Sequence, residues 1–221
     1  MKILHTEDIP WEKIKNIIFD WGGVIVNINY DATVKAFIDL GVIDFNNYFT
    51  QQLQNQSFKK YEIGEISSAE IKEDVRNLSE VNFTNGEFDA AWCAMLLDSP
   101  PERIEQIKEI SKQYKTYLLS NTNEIHADWY IKGKYKNAGI DFRGIFKKAY
   151  LSHEIGLRKP NKEIFEYVLR ENDLRAEETL FIDDTEMHVD GAAKVGINAF
   201  FLRDGMDIIQ LFKSISVEKE G

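Results

Sequence analysis

Cysteine is nearly absent from this sequence. Its only cysteine is Cys93, so no disulfide can form within the chain, and a reducing, cytoplasmic setting is the simplest expectation. The sequence also lacks any apolar run approaching the roughly 20 residues of a membrane-spanning helix. Its first residues do not show the basic-then-apolar pattern of a signal peptide. We therefore expect a protein with no membrane partner.

Long runs of basic residues are missing as well. The chain has 27 Lys and Arg residues against 37 Asp and Glu residues, which gives a formal net charge of −10. A nucleic-acid-binding surface depends on clustered positive charge, so nucleic acid is not an expected partner. The acidic balance does not identify a small-molecule ligand, and a monomer is the default expectation for the assembly.

From residue 98 onward, helix-like segments alternate with short apolar strands. Strands are predicted at 116–119, within 144–150, at 179–182 and at 198–202, and they follow a first strand that begins at residue 16 or 17. Helices are predicted between them, at 102–113, 124–138, 162–172, 189–195 and 207–215. Such alternation is typical of an α/β fold with parallel strands joined by helical crossovers.

Residues 31–97 interrupt this pattern with helices alone. One amphipathic helix ends at Gly41, a second short helix is predicted over 45–54, and another helix over 87–97. Between them, Ser67 and Glu70 have the spacing of a capping box, which predicts a helix start. We expect a core formed by residues 1–30 and 98–221, with a helical insertion at 31–97.

Polar residues follow several of the predicted strands. Asp20 ends the apolar run 17–19 and is followed by Gly22 and Gly23. Three further clusters are Ser120-Asn121-Thr122-Asn123, Arg158-Lys159-Pro160 and Asp183-Asp184. Asp20 alone would fit a simple turn, because Asp and Gly are common turn residues. Ligands bind beyond the carboxyl ends of parallel strands, however, so the four clusters together predict a functional site.

In this order, the four clusters resemble the motifs of the haloacid dehalogenase superfamily. The first motif of that family is Asp-x-Asp-Gly-Thr/Val after a strand, matched by residues 20–24 except at Gly22. The later motifs are a Ser or Thr, a Lys often followed by Pro, and an acidic pair, matched by Ser120, Lys159 and Asp183-Asp184. The resemblance implies a Rossmann-like parallel sheet, with residues 31–97 forming the helical C1 cap.

The same resemblance assigns roles to these residues. Asp20 would attack phosphorus and form an aspartyl-phosphate, while Lys159 would neutralise the gathered charge. Ser120 and the main-chain N–H of Asn121 would bind phosphate oxygens. Mg²⁺ would be held by Asp20, the carbonyl of Gly22 and Asp184, with Asp183 as a ligand or as a partner of a metal-bound water. The implied enzyme is a Mg²⁺-dependent phosphatase of a small metabolite phosphate monoester, for which a sugar phosphate is one candidate.

Gly22 stands where most phosphatases of this family carry a second aspartate. That aspartate protonates the leaving oxygen, and general acid catalysis is worth about 10²- to 10⁴-fold in rate. Glycine keeps the main-chain metal ligand but removes the acid, as in a sugar-phosphatase-like subgroup that the chain resembles. We therefore expect leaving groups of low pKa, such as those of sugar 1-phosphates and aryl phosphates, to react better than ordinary alkyl groups.

Other residues near the motifs receive weaker predictions. Asp190 is placed where it could face Lys159 or the metal. His126 and His188 lie close to motifs but are expected to be packing or surface residues, and Trp21 is expected to border the pocket. Four residues of the insertion could contact substrate or belong to its core, namely Tyr61, Glu62, Trp92 and Met95.

Two other functions stay open at this stage. In a dehalogenase, Asp20 would displace halide from carbon without a metal, which the absence of an acid at position 22 permits. Against it, the carboxylates of Asp183 and Asp184 would repel the charge of Asp20 if no cation were bound. The other alternative is a slow or non-catalytic relative that binds metal and phosphate in a regulatory role.

Overall fold

Five parallel strands form one sheet in the computed structural model, which describes residues 3–49, 56–203 and 205–218. The strands are β1 (Asn16–Phe19), β2 (Lys115–Ser120), β3 (Lys148–Leu151), β4 (Thr179–Asp183) and β5 (Asn198–Phe201). Their order is β3-β2-β1-β4-β5, with every neighbouring pair parallel. The predicted α/β fold with a Rossmann-like parallel sheet is confirmed.

The central strand β1 is buried on both faces. Ile17 and Phe19 pack on one side of the sheet and Ile18 on the other, and all three side chains are inaccessible to solvent. This two-sided burial explains why the strand is a continuous apolar run rather than an alternating one. The apolar run stops at the carboxyl end of the strand, where Asp20 follows.

The helices of the core connect the strands in the expected alternation. They are α5 (Pro101–Ile110), α6 (Glu124–Ala127), α7 (Ser152–Ile155), α8 (Lys162–Glu171), α9 (Glu186–Lys194) and α10 (Ile208–Glu218). The helix predicted over 124–138 is α-helical only at its start and becomes a π-helix over Asp128–Tyr135. Side-chain periodicity over a few turns does not distinguish these two hydrogen-bonding patterns, so the sequence could not show the change.

The insertion is helical, as predicted. It contains α1 (Tyr30–Asp39), α2 (Gln56–Glu62), α3 (Ser68–Ser79) and α4 (Asn85–Cys93). The capping box of Ser67 and Glu70 is present at the start of α3. The helix predicted over 87–97 starts earlier and ends at Cys93, while the one predicted over 45–54 shows a 3₁₀ turn at Phe45–Asn47. The rest of that second prediction, residues 50–54, lies outside the described residues.

Aromatic rings fill the interior of the insertion and connect it to the core. Phe37 stacks on Phe45 with ring centroids 3.9 Å apart, and Phe58 stacks on Trp92 at 4.9 Å. The contact with the core is made by His126 of α6, whose ring stacks on Trp92 with centroids 4.9 Å apart. Because α6 follows β2, this contact places the insertion over the carboxyl ends of the strands. Within the described ranges, none of the helices is long and apolar enough to cross a membrane.

Candidate active site

A cavity of about 440 Å³ lies between the carboxyl ends of the strands and the insertion. Asp20, Ser120, Lys159 and Asp184 all line it. Strands β1, β2 and β4 are parallel neighbours in the sheet, so the residues that follow their carboxyl ends lie close together. The chain leaves β1 toward β2 on one side and later returns as β4 on the other, which is the topological switch point where α/β proteins bind ligands.

Lys159 is at the centre of the polar cluster. Its side chain is fully buried, and its Nζ lies 2.8 Å from Asp20 Oδ1 and 2.6 Å from Asp183 Oδ2. The same ammonium group donates a hydrogen bond of 3.0 Å to the carbonyl of Leu119. Burial acts to lower the pKa of Lys159, but Asp183 and Asp20 outweigh it and raise that pKa. Lys159 is therefore a permanent positive charge beside Asp20.

The backbone of Lys159 is held by the side chain of Asn121. The Lys159 N–H donates to Asn121 Oδ1 at 2.9 Å, and Asn121 Nδ2 donates to the Lys159 carbonyl at 2.9 Å. This two-way contact connects the loop after β2 to the loop that carries the lysine. The sequence pattern gave Asn121 a role only through its main chain, and its side-chain role was not predicted.

Asp183 is fully buried and is engaged from three directions. Besides Lys159, its carboxylate accepts a hydrogen bond of 2.8 Å from the Thr185 N–H and lies 3.2 Å from His188 Nδ1. Burial raises the pKa of Asp183, but Lys159 and His188 outweigh that effect and lower the pKa to about 2. Asp183 is therefore a charged group that fixes the ammonium of Lys159.

Asp20 and Asp184 have the opposite electrostatic environment. Burial, followed by the charge of Asp183, raises the pKa of Asp20 to about 7 and that of Asp184 to about 6. The carboxylate of Asp184 packs directly against Gly23, which has a φ of +73°. A Cβ at Gly23 would lie 1.9 Å from Asp184 Oδ2, so only glycine permits this approach.

The charges of the cluster fit a divalent cation. Among the described residues, the carboxylates of Asp20 and Asp183 contact the ammonium of Lys159 and Asp184 is a third carboxyl group nearby, so one ammonium group serves three carboxyl groups in a buried site. Hard carboxylate oxygens are the ligands that Mg²⁺ prefers. Ligand atoms of Asp20, Asp183 and His188 also lie within 4.8 Å of one another. The Asp183 carboxylate already contacts Lys159, the Thr185 N–H and His188, so it has less free capacity for a cation than the Asp20 carboxylate, which contacts Lys159.

Ile28 occupies the space next to Gly22. A Cβ built on Gly22 would lie 3.2 Å from Cγ1 of Ile28, and both residues line the cavity. A side chain at position 22 would therefore start in close contact with an apolar neighbour. The sequence alone gave no signal of this contact.

The insertion contributes both polar and apolar side chains to the lining of the cavity. Trp92, Met95 and Glu62 line it, as the sequence suggested for residues of the insertion. Asn123 and Arg158, which belong to the predicted motif clusters, also line it, whereas Tyr30, Phe49 and Lys59 were not singled out from the sequence. Aromatic and charged residues at these positions are indistinguishable by pattern from core or surface residues, and only the closure of the insertion over the sheet brings them together.

Several weaker predictions have different outcomes. His126 and His188 both line the cavity, and Trp21 is buried at its edge. Tyr61 lines a neighbouring groove instead, where its hydroxyl accepts from the Ile125 N–H at 3.2 Å. The prediction that Asp190 faces Lys159 or the metal is wrong, because Asp190 lies exposed on α9 outside the cavity. Its position on the helix turns it toward solvent, whereas Val189 beside it is buried.

Comparison with known proteins agrees with this geometry. A model of the haloacid dehalogenase-like hydrolase family matches residues 14–196, which include strands β1 to β4, the residues that line the cavity and the insertion. The chain belongs to this family. The predicted superfamily and the prediction of a hydrolase are thereby confirmed.

A curated relative and a crystal structure each match this protein over most of its length. A D-ribitol-5-phosphate phosphatase from Bacteroides thetaiotaomicron is 32% identical, over 88% of this chain and 94% of the relative. A crystal structure of a HAD family enzyme from the same organism, in complex with magnesium and inorganic phosphate, is also 32% identical. Its TM-score is 0.83, with 90% of this chain and 99% of that chain covered.

A more distant structure shares only the fold. An L-2-haloacid dehalogenase is 15% identical to this chain, with a TM-score of 0.59 and coverage of 92% of this chain and 99% of that one. At this identity the likeness concerns the arrangement of the sheet and helices and does not extend to chemistry. The function of this protein therefore has to be inferred from its own site.

Proposed function

We propose that this family member is a Mg²⁺-dependent phosphatase that hydrolyses the phosphate monoester of a small hydroxylated metabolite, such as a sugar or polyol phosphate. The observation that carries the proposal is the buried ammonium of Lys159, which lies 2.8 Å from Asp20 and 2.6 Å from Asp183. A fixed positive charge beside a nucleophilic carboxylate is what phosphoryl transfer requires. The similarity to a D-ribitol-5-phosphate phosphatase supports the same chemistry.

Asp20 acts as the nucleophile in this proposal. Its carboxylate opens into the cavity although only 7% of the residue is exposed, so it is shielded from bulk water. It would form a bond to phosphorus while the bond from phosphorus to the ester oxygen breaks. Water would then hydrolyse the aspartyl-phosphate and release inorganic phosphate. Lys159 stabilises the negative charge in both steps, and Asp183 keeps its ammonium group in place.

Ser120 and Asn121 are proposed to bind the phosphate oxygens. Ser120 ends β2 and is buried at the cavity, where its hydroxyl can donate to an anionic oxygen. The loop after it is fixed, because the Thr122 N–H donates to Ser152 Oγ at 2.9 Å and Ser152 Oγ donates to the Thr122 carbonyl at 2.8 Å. The main-chain N–H of Asn121 is thus presented by a rigid loop.

Asp20, Asp184 and the main-chain carbonyl of Gly22 are proposed to hold Mg²⁺, with Asp183 available to a metal-bound water. When bound, the cation supplies positive charge for the transferring oxygens. Among these residues, the carboxylates of Asp20 and Asp184 have raised pKa values because burial and Asp183 disfavour their charged forms. A cation would remove that penalty, which is consistent with the magnesium in the related B. thetaiotaomicron enzyme.

The insertion, residues 31–97, is proposed to act as a cap on a core of residues 1–30 and 98–221. It supplies one side of the cavity and shields it from water, which strengthens the interactions of the buried charges. The two connecting segments are hydrogen-bonded to each other, with the Asn27 N–H donating to the Asp98 carbonyl at 2.8 Å and the Leu97 N–H to the Asn27 carbonyl at 2.9 Å. A cytoplasmic location and a monomeric state stay predictions.

A panel of phosphate esters tests the proposed function. Steady-state rates would be measured with Mg²⁺ and with a chelator for the wild type, for Asp20→Asn, and for Asp190→Asn as a control on an exposed aspartate of α9. We expect metal-dependent release of phosphate that Asp20→Asn abolishes and Asp190→Asn retains. Activity on haloacids that persists under chelation would instead support a dehalogenase. Binding of Mg²⁺ and phosphate without turnover would support a regulatory relative.

A further inference from the structure

An ion pair crosses from the insertion to the core at the wall of the cavity. Arg158 Nη2 lies 2.9 Å from Glu62 Oε2, and the two side chains are only 23% and 13% exposed. Glu62 is the last residue of α2, and Arg158 directly precedes Lys159. Both residues line the cavity. The adjacent residues Arg158 and Lys159 therefore serve different partners, with Lys159 directed to Asp20 and Asp183 and Arg158 directed to the insertion.

Tyr30 adds a third polar group to this wall. It is the first residue of α1 and lines the same cavity. Burial raises the pKa of its phenol, and the nearby carboxylates of Asp184, Asp20 and Glu62 raise it further. Its hydroxyl is therefore neutral at physiological pH. Tyr30 lines the same cavity as Asp184, Glu62 and Arg158, so its phenol belongs to the lining that a bound substrate would meet.

Apolar side chains also line the cavity. Trp92 and Met95 are both nearly inaccessible, at 2% and 4% exposure, and both line the cavity. A ligand that enters thus meets apolar side chains as well as one carboxylate, one guanidinium and one phenol. A carbon chain with hydroxyl groups fits this combination, because its C–H groups pack on the apolar side chains.

Its hydroxyl groups match the polar wall. Each hydroxyl can donate to the Glu62 carboxylate and accept from the Arg158 guanidinium or the Tyr30 phenol. A hydrocarbon leaving group would remove water from these groups without replacing its hydrogen bonds, which is costly for buried charges. Sites built to bind a hydroxyl group reject analogues that lack it far more strongly than apolar pockets reject a missing methylene group.

We propose that Glu62, Arg158 and Tyr30 form a hydroxyl-recognition subsite that selects phosphate esters whose leaving group carries several hydroxyl groups. This inference rests on the proposed phosphatase function, because it concerns the leaving group of the same phosphate ester. It gives the insertion a chemical role in selectivity in addition to shielding the cavity.

The test compares two substrates within each protein. The values of kcat/KM would be measured with Mg²⁺ for D-ribitol 5-phosphate and for p-nitrophenyl phosphate, which has no hydroxyl groups on its leaving group. Glu62→Gln keeps the size of the side chain and removes its charge, and Tyr30→Phe removes only a hydroxyl. We expect the ratio of the polyol ester to the aryl ester to fall about tenfold or more in Glu62→Gln and severalfold in Tyr30→Phe.

Glu154→Gln is the matched control. Glu154 also forms an ion pair with an arginine, Arg143, but this pair is 39% and 44% exposed and lies outside the cavity. Its variant should leave the substrate ratio unchanged. The aryl ester reports folding in every variant, and if Glu62→Gln yields no folded protein, Tyr30→Phe decides the matter alone.

The possible outcomes separate the subsite from the proposed function. A wild type that hydrolyses neither ester in the presence of Mg²⁺ overturns the phosphatase function itself. A wild type that hydrolyses both esters, with folded variants that keep its substrate ratio, overturns only the subsite, and so does a wild type that hydrolyses the aryl ester but not the polyol ester. A selective loss on the polyol ester supports the proposed subsite.

Discussion

At the scale of single residues, Lys159 connects stability with chemistry. A buried ammonium group requires partners, and Lys159 has three in Asp20, Asp183 and the carbonyl of Leu119. Its neighbours depend on it as well, because without it the carboxylates of Asp20 and Asp183 would lose the cation that they share. The lysine that the motif pattern identified is thus also part of the folded framework.

Replacement of Lys159 by Gln should therefore reduce both the activity and the stability of the protein. We expect kcat/KM for phosphate esters to fall by about 10²- to 10³-fold, since a charge aimed at the transferring oxygens is lost. Breaking a buried ion pair from one side should also lower the free energy of unfolding by about 3 to 5 kcal/mol without metal. Denaturant unfolding and steady-state kinetics measure the two effects. Lys162→Gln, at a lysine side chain that is 65% exposed, is the control and should change neither.

Gly22 gives a second prediction at the residue scale. An acid at this position would need space that Ile28 fills, because a Cβ there would lie 3.2 Å from Ile28 Cγ1. In an Ile28→Ala background, Gly22→Asp should raise the rate on alkyl phosphates relative to aryl phosphates by about tenfold or more, since alkoxide leaving groups need a proton most. The rates of Ile28→Ala alone provide the reference. Equal rates of the wild type on leaving groups of very different pKa would contradict the premise that an acid is missing.

At the scale of elements, the loop between α2 and α3 fixes the insertion on the core. Gly64 in this loop has a φ of +70°, and a Cβ on it would lie 2.3 Å from the carbonyl oxygen of His153 in α7. On either side of Gly64, Glu62 pairs with Arg158, and Ser68 donates a hydrogen bond to Glu124. The loop and the two helix ends that flank it therefore contact the core at three residues, one of which, Glu62, lines the cavity.

Gly64→Ala should push this loop away from α7. Part of its cost is the left-handed backbone, about 1 to 2 kcal/mol for a residue with a Cβ, and part is the clash with His153. Gly139→Ala carries only the backbone part of this cost, because Gly139 has a similar φ of +72° with open space around it. The difference between the two variants therefore gives the cost of the clash with His153. We expect Gly64→Ala to lower the melting temperature more than Gly139→Ala and to raise KM for the substrate. Equal effects of the two variants on stability and on KM would refute the role of this contact.

The elements also show what the sequence could and could not predict. Strands β1, β2 and β4 were predictable because each is a short apolar run that ends in a polar motif, and Asp20, Ser120 and Asp183 followed from those ends. The pairing of Glu62 with Arg158 was not predictable, since 96 positions separate them and nothing in a helix pattern marks Glu62. The same holds for Ile28, whose role depends on the packing of a loop rather than on a repeat.

At the scale of the whole molecule, His126 joins the insertion to the core. Its ring stacks on Trp92 of α4, its Nε2 lies 3.0 Å from the Trp92 carbonyl, and its Nδ1 lies 3.2 Å from Asn123 Nδ2. Burial lowers the pKa of His126 to about 4, although the bond to the Trp92 carbonyl acts in the opposite direction. The folded protein therefore holds this histidine neutral at a pH where the unfolded chain would protonate it.

Protonation of the unfolded chain gives a signed prediction for stability. Above pH 6.5, His126 is neutral in both states and contributes no pH dependence. As the pH falls from 6.5 toward 4, the unfolded state binds the proton first, so the free energy of unfolding falls by about 1.4 kcal/mol per pH unit from this group. The raised pKa values of Asp20 and Asp184 act with the opposite sign. The difference between wild type and His126→Gln, measured by denaturant unfolding at several pH values, should isolate the histidine.

The outcome that would contradict this assignment is a parallel pH profile for the two proteins. In that case His126 would be protonated equally in the folded and unfolded states, and its ring would not be buried against Trp92. The expected outcome is a variant whose stability falls less steeply below pH 6.5 than that of the wild type.

The central claim is that Asp20 forms a covalent bond with phosphorus while Lys159 and its carboxylate partners organise the site. The most direct measurement is a single-turnover reaction with excess enzyme, Mg²⁺ and a phosphate ester labelled on phosphorus, quenched with acid. We predict transient label on the protein that is sensitive to hydroxylamine, as an acyl phosphate is, and that is absent in Asp20→Asn. Release of labelled phosphate without any label on the protein, or label that persists in Asp20→Asn, would contradict the claim.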